Sequence, residues 1–267
     1  MRIVSWNIER GYHPEETVNF LKEIDADIYC LYELDRGVKR TGEIDMFQIF
    51  KDKLNMDSYY VKEFNEIDTI WRKIIPWGGP GGGEIGNAIF TKLEVQKYYS
   101  VELPTNEFLE YKNKTWIPEL FQPRIGNRKG QVVEIQVDDK KINIVGVHTE
   151  IWKSNWDHRK EQLETSLKYL NLESTILCGD FNNVSGVFKS TLLQNEIYAE
   201  FNKVRSWLSE KKLFDPFSNE DKTCGRSIFS SKIDWICGGS NIRITNKKNV
   251  FTGLSDHTCL IVDFEVI

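Results

Sequence analysis

The chain has 267 residues, of which 40% are hydrophobic and 28% charged, and its formal net charge is −5 at pH 7. This composition excludes an intrinsically disordered chain, and a core of the expected size fits one domain if two layers of sheet share it. The negative charge disfavours tight, sequence-independent binding to nucleic acid, although a bound divalent cation would offset several carboxylates locally.

The cysteines and the start of the chain bear on the compartment. The cysteines show no C-x-x-C pair and no zinc-type spacing, so we interpret them as reduced packing residues. They are Cys30, Cys178, Cys224, Cys237 and Cys259. No signal-like segment opens the sequence, and no apolar stretch is long enough to cross a bilayer. The expectation is a monomeric cytoplasmic protein without membrane insertion.

The first predicted strand carries polar residues on one face. Residues 3–9 alternate in character, which places Ser5, Asn7 and Glu9 on the same side. A polar pair at the end of a core strand needs hydrogen-bond partners or a metal, unless the strand end is simply exposed. A helix follows, with Pro14 in its first turn.

The second predicted strand, residues 27–33, is apolar and ends in the carboxylate of Glu33. Residues 46–54 then predict a helix, and residues 59–64 predict a strand. Two successive strands of this half of the chain therefore end in a polar side chain, the first in Asn7 and the second in Glu33.

Two connections interrupt the pattern in the middle of the chain. The glycine-rich stretch 77–83 lacks the Gly-Lys-Ser/Thr ending of a phosphate-binding loop, so we interpret it as a flexible loop. Residues 86–90 resume the sheet and carry Asn87 near their start. The polar and aromatic connection 105–128 contains Arg124, and connections of this length more often serve as lids or functional loops than as plain links.

A hairpin is predicted next, with strands over residues 131–137 and 141–147. Its second strand delivers His148. A lone histidine is more often a satisfied core residue than a functional one, but a strand end is also where Asn7 and Glu33 stand. Residues 158–170 then show the leucine spacing of a helix.

Residues 174–183 form an apolar run that ends in Gly-Asp-Phe-Asn. In an extended chain Asp180 and Asn182 would project to the same side and bring a carboxylate and an amide to one strand end. The alternative is an Asp/Asn turn that only closes the strand, and the tetrapeptide alone leaves both interpretations open. An amphipathic helix is predicted around residues 201–208.

The last third of the chain adds two acidic residues and a histidine. The predicted strand 231–236 contains Asp234 between bulky apolar residues, and a carboxylate in that position needs a partner. A loop then presents Asp256 and His257 side by side, before the final predicted strand, residues 259–266.

Strands and helices alternate without a break in composition, so the pattern predicts one α/β domain with two layers of sheet. Seven motifs then follow in order: Ser5-Trp-Asn-Ile-Glu9, Tyr32-Glu33, Gly86-Asn-Ala-Ile-Phe90, His148-Thr149, Gly179-Asp-Phe-Asn182, Ile233-Asp-Trp235 and Ser255-Asp-His257. Together they resemble the endonuclease/exonuclease/phosphatase superfamily. The resemblance implies one catalytic domain over residues 1–267. It also implies a four-layer α/β sandwich like that of deoxyribonuclease I, with two packed, mostly antiparallel sheets flanked by helices.

The chemistry of these residue types fits phosphoester hydrolysis. That reaction needs charge neutralisation at the phosphate oxygens, an activated water in line with the leaving oxygen, and hydrogen-bond donors for the developing charge. Oxygen ligands without a Cys/His cluster in the sequence favour Mg²⁺ or Mn²⁺ over zinc. The resemblance implies that Asn7, Glu33 and Asp256 are the metal ligands.

The resemblance also implies the catalytic roles. Asp180 would orient or deprotonate the attacking water, and Asn182 would hold that water or the phosphate. His257 would contact the phosphate, with Asp234 fixing its tautomer and favouring the imidazolium. His148 would be a second phosphate donor or the acid to the leaving group, partly protonated near neutrality. Asn87 and Arg124 are the expected substrate-binding residues.

Three classes of function remain open. The first is a phosphodiesterase of the endonuclease/exonuclease type, for which Arg124, Arg128, Trp152 and Trp156 could contact phosphates and stack on bases, unless they are ordinary surface cover. The second is a phosphatase or phosphodiesterase acting on a small molecule or lipid headgroup, which fits the acidic balance better. The third, an inactive binding module, is disfavoured by the intact set of acidic, amide and histidine residues. The lack of an Asn-x-Tyr segment argues against abasic-site repair.

Overall fold

The computed structural model describes residues 1–69, 79–105, 124–151, 154–183, 193–225 and 231–267, and for residues 193–199 it describes the backbone only. The helices in these ranges are α1 Pro14–Ile24, α2 Met46–Leu54, α3 Trp156–Leu167 and α4 Leu193–Glu210. The strands are β1 Arg2–Asn7, β2 Ile28–Arg36, β3 Asp57–Glu66, β4 Glu84–Thr91, β5 Val95–Glu102, β6 Arg124–Gly126, β7 Lys129–Val137, β8 Lys140–His148, β9 Thr175–Asp180, β10 Asp234–Gly238, β11 Ile242–Val250 and β12 Cys259–Val266.

The strands form two sheets. The larger has the order β11-β12-β1-β2-β4-β3-β6, and the smaller has the order β10-β9-β8-β7-β5. Parallel pairing joins β1 to β2 and β8 to β9. The other strand pairs are antiparallel. In each sheet the parallel pair places two strand ends side by side at the same edge.

Three apolar clusters make the fold a four-layer sandwich. Side chains of both sheets interdigitate in the central cluster, where Ile28 and Ile89 of the larger sheet meet Ile144 and Ile176 of the smaller. A second cluster packs α1 and α2 against the outer face of the larger sheet, and a third packs α3 and α4 against the smaller. The predicted four-layer α/β sandwich is confirmed.

Most predicted elements are present, and three edge strands were not predicted. One of them, β6, is a three-residue strand within the predicted connection 105–128. Strands β5, β6 and β11 are the outermost strands of their sheets. Half of their side chains or more face solvent, so they lack the apolar alternation on which the other predictions rested. The strand predicted over residues 3–9 stops at Asn7, because Glu9 begins a turn of 3-10 helix.

Residues 79–83 of the predicted glycine-rich loop are irregular in structure, and backbone hydrogen bonds hold them. Their backbone is paired with Glu66, since the Gly82 N–H donates to the Glu66 oxygen at 2.9 Å and the Glu66 N–H donates to the Gly83 oxygen at 3.0 Å. A Cβ atom on Gly83 would lie 2.3 Å from the Gly37 carbonyl oxygen, so the glycine permits close backbone packing. Residues 77 and 78 lie outside the described ranges.

Among the helices of the described residues, none combines the length and the apolar character needed to cross a bilayer.

Candidate active site

The ends of neighbouring strands from both sheets surround a cleft of about 650 Å³. Asn7 ends β1 in the larger sheet, and His148 and Asp180 end the parallel strands β8 and β9 in the smaller one. Because His148 is paired in register with Asp180, and Asp180 with Asp234 at the start of β10, three polar side chains stand in a row. His257, just before β12, completes the group.

Glu33 reaches the cleft from a bulge in β2. The pairing of β2 with β4 shifts register between Leu31 and Leu34, and Glu33 has a left-handed backbone with φ of 62°. A bulge re-aims the side chain that it carries, which turns this carboxylate toward the cleft. Burial opposes its charge, but Arg10 and then Arg128 outweigh that effect and hold the pKa of Glu33 below its usual value.

Asn87 supports Glu33 from behind. Its side-chain oxygen accepts a hydrogen bond of 3.3 Å from the Glu33 backbone N–H. Its side chain is 1% exposed and does not line the cleft. The oxygen of Asn87 therefore fixes the bulge, and its predicted contact with the substrate stays a prediction.

Left-handed backbone conformations are concentrated at this cleft. Glu9, Arg10, Glu33 and Asn182 have φ of 47°, 67°, 62° and 43°, and all four line the cleft. Such conformations are uncommon for residues other than glycine and cost free energy that the surrounding structure must supply. Their concentration here indicates a site built for side-chain placement rather than for stability.

Asp180 is the buried carboxylate at the centre. Its Oδ1 accepts from the backbone N–H of Asn182 at 2.9 Å, and its Oδ2 accepts from Nδ2 of Asn7 at 3.2 Å. Burial, together with the nearby charge of Asp234, raises the pKa of Asp180 to about 7. A carboxylate with this pKa can accept a proton near neutral pH.

Asn182 takes part in a turn, and the prediction that it continues an extended strand is wrong. The strand ends at Asp180, and the left-handed Asn182 donates its side-chain N–H to the Thr149 oxygen at 2.9 Å. The two interpretations of the tetrapeptide are therefore combined. An Asp/Asn turn closes the strand, and both side chains still line the cleft.

His257 is oriented by Asp234. Its Nδ1 lies 2.9 Å from Oδ2 and 3.1 Å from Oδ1 of that carboxylate. Burial disfavours the imidazolium, but the charge of Asp234 outweighs it, and the pKa of His257 lies well above its usual range. Nε2 of the same ring is 3.9 Å from Oδ2 of Asp180.

His148 is neutral, contrary to the expectation of partial protonation. Its Nδ1 lies 2.6 Å from Nη1 of Arg128, which in turn lies 2.7 Å from Oε2 of Glu63. Burial and the Arg128 charge hold the pKa of His148 well below its usual value. Since Arg128 can only donate, Nδ1 accepts and the proton sits on Nε2, which is 3.5 Å from Oδ2 of Asp180. His148 is thus a neutral donor.

Asn7 presents its amide nitrogen to the carboxylates. Nδ2 lies 3.3 Å from Oε1 of Glu33 and 3.2 Å from Oδ2 of Asp180, while Oδ1 accepts from the Glu9 N–H at 3.0 Å. Oδ1 accepts one hydrogen bond and keeps a second lone pair. In this structure Asn7 bridges the two carboxylates, and its role as a metal ligand stays a prediction.

Arginines paired with glutamates line the same cleft, and of these the sequence analysis missed Arg10. Arg10 lies 3.2 Å from Glu66 and 3.9 Å from Glu33. Arg124 pairs with Glu150 and stacks 3.9 Å from the centre of the Phe64 ring. Both arginines line the cleft, as does Arg128.

The prediction that tryptophans could stack on bases has different outcomes for Trp156 and Trp152. Trp156 is buried in α3 and packs edge-on against Trp207, with 6.2 Å between ring centres, so it is not a stacking surface. Trp152 lies outside the described residues.

The oxygen atoms of the cleft fit a hard divalent cation. Glu33, Asp180 and Asp256 line it with carboxylates, and carboxylate oxygens are the ligands that Mg²⁺ and Mn²⁺ prefer. Of the three predicted ligands, Glu33 and Asp256 line the cleft, and Asn7 stays a predicted third ligand.

Cys224 is not the packing residue that the sequence indicated. It is partly exposed and lines the cleft, whereas the other four cysteines are buried. The fold also places its sulfur near Asp256 and His257, so a cysteine and histidine cluster exists that no spacing in the sequence reveals.

Comparisons with known proteins agree with this architecture. A family model described as "Endonuclease/Exonuclease/phosphatase family" matches residues 4–257. A search of curated proteins found no significant match. Among solved structures, an endonuclease/exonuclease/phosphatase from Beutenbergia cavernae aligns with a TM-score of 0.72 and 18% identity over 100% of this chain and 71% of that one.

Two further structures align over almost their whole length. A family protein from Leptotrichia buccalis has a TM-score of 0.63 and 15% identity, covering 99% of each chain. The human Nocturnin catalytic domain, solved with a bound sulfate anion, has a TM-score of 0.62 and 18% identity, covering 100% of this chain and 93% of that one. At these identities the likeness shows the fold alone.

Proposed function

The chain belongs to the endonuclease/exonuclease/phosphatase family, and we propose that it is a divalent-metal-dependent phosphoesterase that hydrolyses a phosphodiester, as an endonuclease or exonuclease does. One observation carries the proposal. Oδ2 of Asp180, a carboxylate with a pKa near 7, lies 3.5 Å from Nε2 of His148 and 3.9 Å from Nε2 of His257. A proton acceptor and two donors therefore converge on the space where a phosphate and a water would meet.

Each of these side chains has a distinct task. Asp180 orients the attacking water and accepts its proton, and the turn at Asn182 fixes the direction of the carboxylate. His257, held as an imidazolium by Asp234, donates from Nε2 to a phosphate oxygen. His148 donates from its neutral Nε2–H, a contact that stabilises developing charge without a proton transfer.

Glu33 and Asp256 would hold Mg²⁺ or Mn²⁺. When bound, such an ion neutralises phosphate oxygens and stabilises the leaving oxygen. The bulge in β2 directs the Glu33 carboxylate into the cleft. The loop before β12 carries the second carboxylate, Asp256. The Trp6 ring nitrogen anchors this loop by donating to the His257 carbonyl oxygen at 3.1 Å.

The Asp180→Asn variant tests the proposal. The amide keeps the shape of the side chain but cannot accept a proton, so turnover should fall by about 10²-fold or more. The matched control is Asp57→Asn, at an exposed position that starts β3, which should keep normal turnover. Plasmid DNA, RNA, bis-p-nitrophenyl phosphate, p-nitrophenyl phosphate and inositol phospholipids are assayed with Mg²⁺ or Mn²⁺ and again with EDTA. Metal-dependent diester cleavage that survives in Asp180→Asn would overturn the assignment.

A second candidate, hydrolysis of a small-molecule or lipid-headgroup phosphoester, is favoured by the charges around the cleft. Arg10, Arg124 and Arg128 each pair with a glutamate, which leaves less positive charge for a polyanion. The volume of about 650 Å³ also lies in the range of small-ligand sites. Salt dependence separates the candidates, because affinity for nucleic acid falls steeply with added salt and affinity for a small substrate falls much less.

A further inference from the structure

Cys224, Asp256 and His257 form a group on one wall of the cleft. The sulfur, a carboxylate oxygen and a ring nitrogen of these residues all lie within 4.8 Å of one another. Backbone pairing fixes their relative position, since Cys224 and His257 form an antiparallel bridge and the Gly225 N–H donates to the Asp256 oxygen at 3.1 Å. All three side chains line the cleft, so an ion in solution can reach them.

The histidine of this group is already oriented as in many zinc sites. Its Nδ1 faces the Asp234 carboxylate at 2.9 Å, and its Nε2 faces the cleft, 3.9 Å from Oδ1 of Asp256. Zinc-binding histidines commonly have their second nitrogen hydrogen-bonded to a carboxylate, which fixes the ring and strengthens its basicity. Asp234 supplies this partner.

We propose that Cys224, Asp256 and His257 bind Zn²⁺, or another thiophilic divalent ion, as an inhibitory site. Tetrahedral zinc holds sulfur, nitrogen and oxygen ligands about 3.3–3.6 Å apart, so the side chains need to close in by about 1 Å. Three protein ligands leave a fourth position for water. Mg²⁺ avoids thiolate, so the two ions share Asp256 and otherwise use different atoms.

The inhibitory consequence rests on the proposed function. Zinc takes the Nε2 lone pair of His257, so the ring can no longer donate to a phosphate oxygen. The Cys224 thiol and the His257 imidazolium each release one proton to solvent as their atoms bind the ion. Added Zn²⁺ should therefore lower turnover even when Mg²⁺ is saturating.

Direct binding of Co²⁺ and Zn²⁺ to the purified protein tests the site without any assay of activity. Co²⁺ accepts the same ligands as zinc, and a cobalt–thiolate bond absorbs strongly in the near ultraviolet. The wild-type protein should show this band at one equivalent of Co²⁺ and lose it when Zn²⁺ is added. Cys224→Ser should lack the band and bind Zn²⁺ more weakly. Its affinity should fall by at least about 10–100-fold, because removing even an outer-shell partner of a metal ligand costs that much.

The control is His13→Ala, which removes an exposed histidine that does not line the cleft and should leave the band and the Zn²⁺ affinity unchanged. A wild-type protein without the band, or a Cys224→Ser protein with unchanged Zn²⁺ affinity, would overturn the site. Binding at Cys224 with full turnover in the zinc-loaded enzyme would overturn the inhibition. If no phosphoester is cleaved at all, the proposed function fails while the cobalt spectrum still decides the metal site.

Discussion

His148 and His257 face the same oxygen of Asp180, yet their surroundings shift their pKa values in opposite directions. Asp234 stabilises the imidazolium of His257, and Arg128 keeps His148 neutral. Burial lowers the pKa of both rings, and Arg128 lowers that of His148 further, whereas the charge of Asp234 outweighs burial at His257. One charged and one neutral donor therefore meet at the same carboxylate.

Replacing His148 by alanine should lower turnover by about 10²-fold with little loss of stability, because a donor to developing charge is removed while Arg128 keeps its pair with Glu63. The wild-type pKa of this ring already lies well below the usual value of about 6.5, so the pH–rate profile of the variant should keep its shape near neutrality. Turnover, its pH profile and the melting temperature are measured beside His13→Ala. A lower melting temperature with nearly normal turnover would make His148 a core histidine.

Asp234 and His257 should behave as one unit. Asp234→Asn removes the charge that favours the imidazolium, and His257→Ala removes the ring itself, so each should lower turnover by a similar factor. The double variant should lose little more than either single variant, which a double-mutant cycle on kcat/KM measures. Losses that multiply would mean that the two residues act separately.

Residues that close an apolar run could be predicted from the sequence, although Glu33 lies at a bulge within β2 and not at its end. Residues that act through distant partners could not be predicted. Asn7, Glu33 and Asp180 each close a run of apolar residues, so their position in the pattern identified them. Arg128 meets Glu63 across 65 positions. Cys224 meets His257 through an isolated bridge outside any strand. Neither contact has a local signature, because both depend on how the two sheets are stacked.

Among the elements, the edges of the sheets and the bulge in β2 were the hardest to predict. Strands β5 and β11 carry lysines and exposed polar residues, which protect a sheet edge from pairing with another chain but remove the apolar alternation of a strand. The bulge depends on the left-handed backbone of Glu33. This conformation is uncommon for residues other than glycine, so the sequence gives no sign of it.

A buried network of charges supports the loop that carries Arg10. Arg40 lies 2.6 Å from Asp35 and 2.6 Å from Glu66, and Glu66 also pairs with Arg10 beside the cleft. The side chains of Arg40, Asp35 and Glu66 are at most 4% exposed. Removing one partner from such a network leaves charge without compensation in a dry environment.

Arg40→Met should therefore lower the free energy of unfolding by about 3–5 kcal/mol, since Asp35 and Glu66 stay buried without the guanidinium. The matched control is Lys53→Met, which breaks the exposed pair with Glu15 and should cost about 1 kcal/mol or less. Urea midpoints and slopes of the two variants give the comparison. Equal midpoints would mean that the network contributes no more than a surface pair.

At the scale of the whole molecule, the cleft joins the two sheets. Glu33 belongs to the larger sheet and Asp180 to the smaller one, and the amide of Asn7 bridges their carboxylates across the interface. Each sheet alone would present only part of the site. A ligand held by these groups therefore binds the folded sandwich and not the unfolded chain.

Mg²⁺ or Mn²⁺ should accordingly raise the melting temperature. At a concentration about 100 times the dissociation constant, binding to the folded state alone adds about 2.7 kcal/mol. For a chain of this size that corresponds to a rise of roughly 5–10 °C. Glu33→Gln should abolish most of the rise and most of the calorimetric binding, because the amide has lost the charge that attracts the ion. Its melting temperature without metal should stay at or slightly below that of the wild type, since the favourable charge interaction with Arg10 and Arg128 is also lost.

Glu23→Gln, at an exposed position of α1, is the control and should keep the full rise. EDTA should return the wild-type protein to its metal-free melting temperature, which separates specific binding from a general salt effect. Equal metal-induced shifts in Glu33→Gln and Glu23→Gln would remove Glu33 from the metal ligands. The ion would then have to be held by Asp180 of the smaller sheet and Asp256 of the loop before β12. The bulge in β2 would then have no role in metal binding.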